Sequence, residues 1–182
     1  MREPFAFVVA AVADLSAADA VIEGLGATMH PVEVRRLDVV SLGRKVSGDV
    51  RFHRENVCDA DGGRCWSAAA ALAVALFPSV DADQPSDRAA ERAALAAVSG
   101  RVATAVGRPA LKDFGDLLDA AFAGVIVVTS TDLGEAVVEC LPDSALVAVR
   151  TAELDPAELA RLAQIATSSV RRPPRTGGDV SR

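Results

Sequence analysis

Apolar positions along this chain switch between two periods. Phe5 to Val12 (FAFVVAAV) is a continuous apolar run, the pattern of a strand buried on both faces. Ala18, Val21, Ile22, Leu25 and Met29 then recur at helical spacing. With Ser16 as N-cap and Asp19 in the capping-box position, this predicts a helix over residues 16–30. His30-Pro31 closes it, because the residue before a proline is pushed out of the helical region. Residues 33–42 alternate as a strand, Val46-Ser47-Gly48-Asp49 reads as a turn, and VRFHREN (50–56) alternates as a half-exposed partner strand.

The middle of the chain changes character. Asp59 to Gly63 reads as a loop, and WSAAAALAVALF (66–77) as an apolar helix of 12 residues stopped by Pro78. Residues 79–87 form an acidic connection. Ser86 caps a second helix to about Val106, with Leu95, Val98 and Val102 on one face. The two helices make a hairpin whose contact surface is mostly alanine. Small side chains permit close approach but contribute little transfer energy each. Pro109 suits a helical first turn, and Leu111, Phe114, Leu117, Leu118 and Ala121 form the stripe of a helix that Gly124 ends. Val125 to Thr129 is a strand. Thr131 caps a helix with Leu133, Val137, Val138 and Leu141 inward. Ala145 to Val149 is a strand, and Asp155-Pro156 opens a last helix carrying Leu159, Leu162 and Ile165. Beyond Ser169, Pro173-Pro174 and Gly177-Gly178 predict disorder.

One internal echo bears on topology. VVAAVADLSAADAVIEGL (8–25) and IVVTSTDLGEAVVECL (126–141) are both strand, Asp-Leu, helix, and each leads into another strand. Two such units predict an α+β fold with a ferredoxin-like split βαβ scaffold. The expected organisation is one α+β domain over 1–169, an inserted alanine-rich helical hairpin at about 64–107, and a disordered basic tail at 170–182.

Composition narrows the partners. Aromatics are 4% of the residues, with no tyrosine, so the core is aliphatic. Net charge is −6, and the tail's Arg171, Arg172, Arg175 and Arg182 against Asp179 give it +3, leaving −9 elsewhere (−6 minus +3). That balance argues against a nucleic-acid surface. Three cysteines are too few, and odd in number, for a secreted disulfide framework. The N-terminus lacks the pattern of a signal peptide. The expected setting is the cytoplasm.

GGRCWSAAAALAVALFP (62–78) and LKDFGDLLDAAFAGVIVV (111–128) resemble a bacterial family of predicted membrane proteins carrying a domain of unknown function (DUF twelve-sixty-nine and its relatives). The resemblance spans roughly residues 5–150. It rests on the order of elements, a tryptophan opening an apolar helix that ends in Phe-Pro, and a helix-to-strand segment with a central glycine. It implies a ferredoxin-like scaffold with a glycine-rich apolar hairpin, and no established activity. This chain departs from that pattern: its hairpin has few glycines and is interrupted by Asp81, Asp83, Asp87 and Glu91. Spanning a bilayer takes about 20 apolar residues, and 12 ending at a proline fall short. The chain reads as soluble.

Candidate chemistry is sparse. His53, Cys58 and Cys65 form the one potential metal cluster, with Asp59 or Asp61 as further oxygen ligands, but C-x6-C is off the usual spacing for zinc. An exposed strand histidine and two free thiols are the plainer account. His30 reads as a residue at a helix C-terminus, facing the dipole, and Cys140 as a small inward hydrophobe. Asp113, Asp116 and Asp119 are neighbours on one helix, able to perturb one another or hold a cation, and equally the solvated face opposite an apolar stripe. Gly24-Leu25-Gly26 follows a helix and so cannot present amides to a phosphate. No cofactor motif is present.

These observations predict a non-enzymatic binding or assembly module. It would self-associate or bind a protein partner through the hairpin, with Trp66, Ala69, Ala73, Leu76, Leu95, Val98 and Val102 as the interface. The alternatives are a peripheral protein at the inner face of the cell membrane, using the hairpin and Arg-rich tail, or a small-ligand sensor. On metal the expectation is specific. Purified protein should contain no stoichiometric zinc, and a chelator should leave its melting temperature unchanged. One metal per chain, lost in a Cys58→Ala/Cys65→Ala variant, would overturn this.

Overall fold

The computed structural model describes residues 1–55, 59–60, 63–64, 68–79 and 89–170. In chain order the elements are β1 (Glu3–Val12), α1 (Leu15–Thr28), α2 (Pro31–Val34), β2 (Asp38–Arg44), β3 (Val50–Glu55), β4 (Asp59–Ala60) and β5 (Gly63–Arg64). They continue with α3 (Ala68–Leu76), α4 (Ala89–Val106), α5 (Arg108–Asp119), β6 (Ala123–Ser130), α6 (Thr131–Glu139), β7 (Leu146–Leu154) and α7 (Pro156–Val170). This is an α+β chain. Five strands form one sheet in the order β3-β2-β6-β1-β7, with every neighbouring pair antiparallel. Where a loop was expected at 59–63, β4 and β5 pair as a two-residue ladder, Asp59↔Arg64 and Ala60↔Gly63.

The sheet is dry on both faces at its centre. Residues 6–12 of β1 and 123–129 of β6 are all buried, so their sequences show no polar alternation. Val8, Ala10 and Val12 face a layer made by α1 and α6, with Val21, Leu25, Leu133 and Val137. Phe7, Val9, Val40 and Leu42 face the opposite layer, made by α3, α4, α5 and α7. Two glycines allow close helix approach. A Cβ at Gly124 in β6 would run into Leu118 of α5, and one at Gly134 in α6 would lie 2.9 Å from the Ala6 Cβ.

This layering decides where the hairpin goes. Both local crossover helices, α1 and α6, lie on one face, so the other face depends on α5, α7 and the hairpin. Ala69 to Ala73, Ala94, Val98 and Val102 are fully or almost fully buried against it. The α3 N-terminus is held by the sheet itself: the Ala69 N–H donates to Asp38 Oδ2 at 3.0 Å, from the first residue of β2.

Several local expectations are corrected. Helix α1 begins at Leu15, so Asp14 is its N-cap, accepting from the Ala17 N–H at 2.8 Å, and Ser16 lies inside the first turn. His30 does not end a helix at its dipole. It opens α2, taking the Val32 N–H on Nδ1 at 3.3 Å while its own N–H donates to Glu33 at 2.9 Å. Pro31 fits the first helical position, where no N–H is needed, and this turn delays β2 to Asp38. Gly124 lies within β6 and is not the end of α5. Ser130, not Thr131, stands at the N-cap of α6. In α7 the inward residues include Leu159 and Ala163, whereas Ile165 is exposed.

Val98 tests this packing. With no exposure and packed in the apolar core, the Val98→Asp carboxylate would be buried at a cost of about 3–5 kcal/mol. The urea midpoint followed by circular dichroism should fall accordingly. A variant as stable as the parent would mean this helix face is not core.

Candidate interaction surface

The expected interface residues divide by where the hairpin packs. Ala69, Ala73, Val98 and Val102 sit inside the fold, and Leu76 and Leu95 are half-buried against the same core. While the hairpin stays on the sheet, the first four touch only their own chain. Trp66 lies outside the described residues.

Of the metal candidates His53, Cys58 and Cys65, only His53 lies within the described residues. His53 Nε2 lies 3.1 Å from Asp19 Oδ2, tying β3 to α1, and both side chains are partly exposed. Cys58 and Cys65 lie outside the described residues. Among the described residues, no three His, Cys, Asp or Glu side chains gather as a metal set. Cys140 is a half-buried free thiol at the C-cap of α6.

The three aspartates of α5 are divided among separate cations. Asp113 accepts from Arg150 at 2.7 Å, Asp116 pairs with Lys112, and Asp119 accepts from Arg44 at 2.6 Å. All three are exposed, and such pairs contribute little stability each. The ammonium of Lys112 is held above its ordinary pKa by the hydrogen bond and charge of Asp116. Arg44 flanks a shallow depression lined by Leu42, Val50, Phe77, Leu118 and Phe122. Its Nη1 donates to the Gly48 carbonyl at 3.1 Å and its Nη2 to Asp119, while its Nε is buried with no partner among the described residues. Among the described residues, Arg44 is the one charged side chain lining the depression.

Two further carboxylates are also held by hydrogen-bond donors. Asp132 is held below the ordinary carboxylate pKa by the Ser130 hydroxyl and then by Arg36. Asp155 is lowered by the N-terminal ammonium at 3.0 Å and then by the Glu158 N–H.

What the sequence reading missed is the rim of the sheet. Phe122, Leu146 and Val149 are 71%, 60% and 38% exposed. Phe122 precedes β6, and the other two lie on β7. That strand runs five residues past its expected end, to Leu154, because alternation of Ala152 and Leu154 with Thr151 and Glu153 continues the half-buried pattern. Its outer side has no strand partner among the described residues. The signal was present in TAEL (151–154), a period-2 segment ahead of Asp155-Pro156.

No protein-family model matches the chain, and no curated protein or solved structure matches it.

The Asp155 pairing makes a pH prediction. Its folded pKa is depressed, so its stabilisation is present above the ordinary value of 3.8 and is lost as pH falls through 3.8 toward the folded value. Asp155→Asn should therefore lower stability at neutral pH and converge with the parent in acid, measured by urea unfolding at both. A parent–variant difference that is the same at both pH values would show that this carboxylate carries no such linkage.

Proposed function

We propose that the chain is a non-enzymatic binding or assembly module on a ferredoxin-like split βαβ scaffold. The order β2-β6-β1-β7, with α1 and α6 crossing on one face, supports that scaffold. On this reading β3 and the α3–α4 hairpin are additions, the hairpin closing the second face. The resemblance to the predicted membrane proteins supports the scaffold and adds no activity.

The observation that carries the reading is the combination of a sheet covered on both faces by its own helices with an apolar rim left bare. Phe122, Leu146 and Val149 are exposed, with the ion pairs Arg44–Asp119 and Arg150–Asp113 as charged neighbours. Apolar groups of this kind beside an unpaired strand suit a protein partner better than a reaction. The partner surface proposed here is this rim, in place of the hairpin face. Three cysteines in 182 residues support a reducing, cytoplasmic setting.

No helix among the described residues is long and apolar enough to cross a membrane. The membrane alternative is a peripheral contact through the hairpin and the Arg-rich tail at 170–182. Light scattering over the micromolar range, run alongside flotation with anionic vesicles, separates the two. The expected result is concentration-dependent association without flotation. A protein that stays monomeric, floats, and stops floating when residues 171–182 are removed would replace the assembly reading with the lipid one.

A further inference from the structure

The two edges of the sheet are finished differently. Six-residue β3 (VRFHRE) carries Arg51, His53, Arg54 and Glu55, and its ladder with β2 is irregular at Ser41/Leu42. Charge and irregularity of this kind keep an edge from pairing. Nine-residue β7 (LVAVRTAEL) has no proline and no lysine, and its ladder with β1 runs unbroken from Glu3↔Leu154 to Ala11↔Leu146. A long, regular and mostly uncharged edge is a template for another strand.

Two contacts show which backbone groups β7 offers. Pro4 has no N–H, and it lies opposite Glu153, so that pair cannot exchange both ladder bonds with β1. The Val149 carbonyl accepts from Arg150 Nη1 at 2.8 Å, which turns it away from β1. In an antiparallel ladder, outward and inward residues alternate. Val147, Val149, Thr151 and Glu153 therefore present their N–H and C=O groups outward.

We propose that β7 pairs with β7 of a second copy of this chain, antiparallel about a two-fold axis at Thr151, joining two five-stranded sheets into one of ten strands. The inference rests on the assembly reading above and names its surface and partner. A second copy fits because a two-fold sets outward residues against outward residues, as an isologous contact requires. Centred on Thr151, the pairing puts Thr151 opposite Thr151, Val149 opposite Glu153, Arg150 opposite Ala152 and Ala148 opposite Leu154. No like charges face one another, and threonine opposite threonine is a favourable cross-strand pair. A centre on Arg150 would set two guanidiniums face to face. Arg150 keeps Asp113 as its counter-ion, 2.7 Å away, so its charge is balanced beside the join. The Val149 carbonyl passes from Arg150 to the Glu153 N–H of the second copy.

Light scattering of the native protein should show a dimer. Thr151→Pro removes an outward N–H and takes no bond from the β1 ladder, so it should leave the circular dichroism unchanged and weaken dimerisation at least tenfold. Val149→Lys, which places a charge on the edge, should do the same, and it decides the matter should the proline variant misfold. In a background with Cys58, Cys65 and Cys140 replaced by serine, Thr151→Cys should oxidise to a covalent dimer. Directly paired Cα atoms lie about 5.5 Å apart, within disulfide reach. A dimer that survives Val149→Lys and does not cross-link through Thr151→Cys overturns the β7 assignment and leaves assembly by another surface standing. A protein that is monomeric at every concentration overturns both.

Discussion

The paired central strands β1 and β6 set the constraint on which the rest depends. Every residue from Ala6 to Val12, and every residue from Ala123 to Thr129, is buried. A strand that is apolar on both sides cannot face water on either, so this antiparallel sheet needs a helical layer above and another below. Antiparallel sheets commonly leave one face solvated. Here the sequence of β1 forbids it.

The two layers meet that demand by different means. The α1–α6 layer is local: each helix follows a central strand directly and folds back over it, and Gly134 lets α6 settle against Ala6. The other layer is assembled from distant segments. Its α3 contributes mainly alanine methyls, each worth about 0.8 kcal/mol on burial, so its adhesion depends on closeness and on fixed ends. Asp38 supplies one such end by capping α3 from the sheet. Gly124 supplies closeness for α5. Ser41 is fully buried in β2, beside the irregularity in the β2–β3 ladder.

These means differ in how far they can be read from sequence. FAFVVAAV and VIVVT announced their strands because double burial erases polar alternation, and the stripe of α5 announced its helix by spacing alone. The echo between residues 8–25 and 126–141 anticipated the strand–helix–strand units that the observed strand order contains. Caps were less legible, since Asp14 and Ser16 are both competent N-caps and only the start of α1 at Leu15 separates them. The position of the hairpin was not legible. An alanine-rich helix has almost no apolar contrast around its circumference, so its sequence does not say which side is covered or by what. Amphipathicity counted the helices available to the sheet correctly, but not how they divide between its faces. That division left the hairpin as core and moved the exposed apolar residues to the rim.

The same division limits the chemistry available. With both faces committed to packing, polar groups can converge only at the ends and edges of the sheet. The ion pairs there include Arg44 with Asp119, Arg150 with Asp113 and Arg36 with Asp132. Along β7, backbone donors and acceptors alternate on a regular edge that has no strand partner among the described residues, beside exposed Leu146 and Val149. Backbone of that geometry can be completed by another extended chain, and that is the physical basis of the strand pairing proposed above.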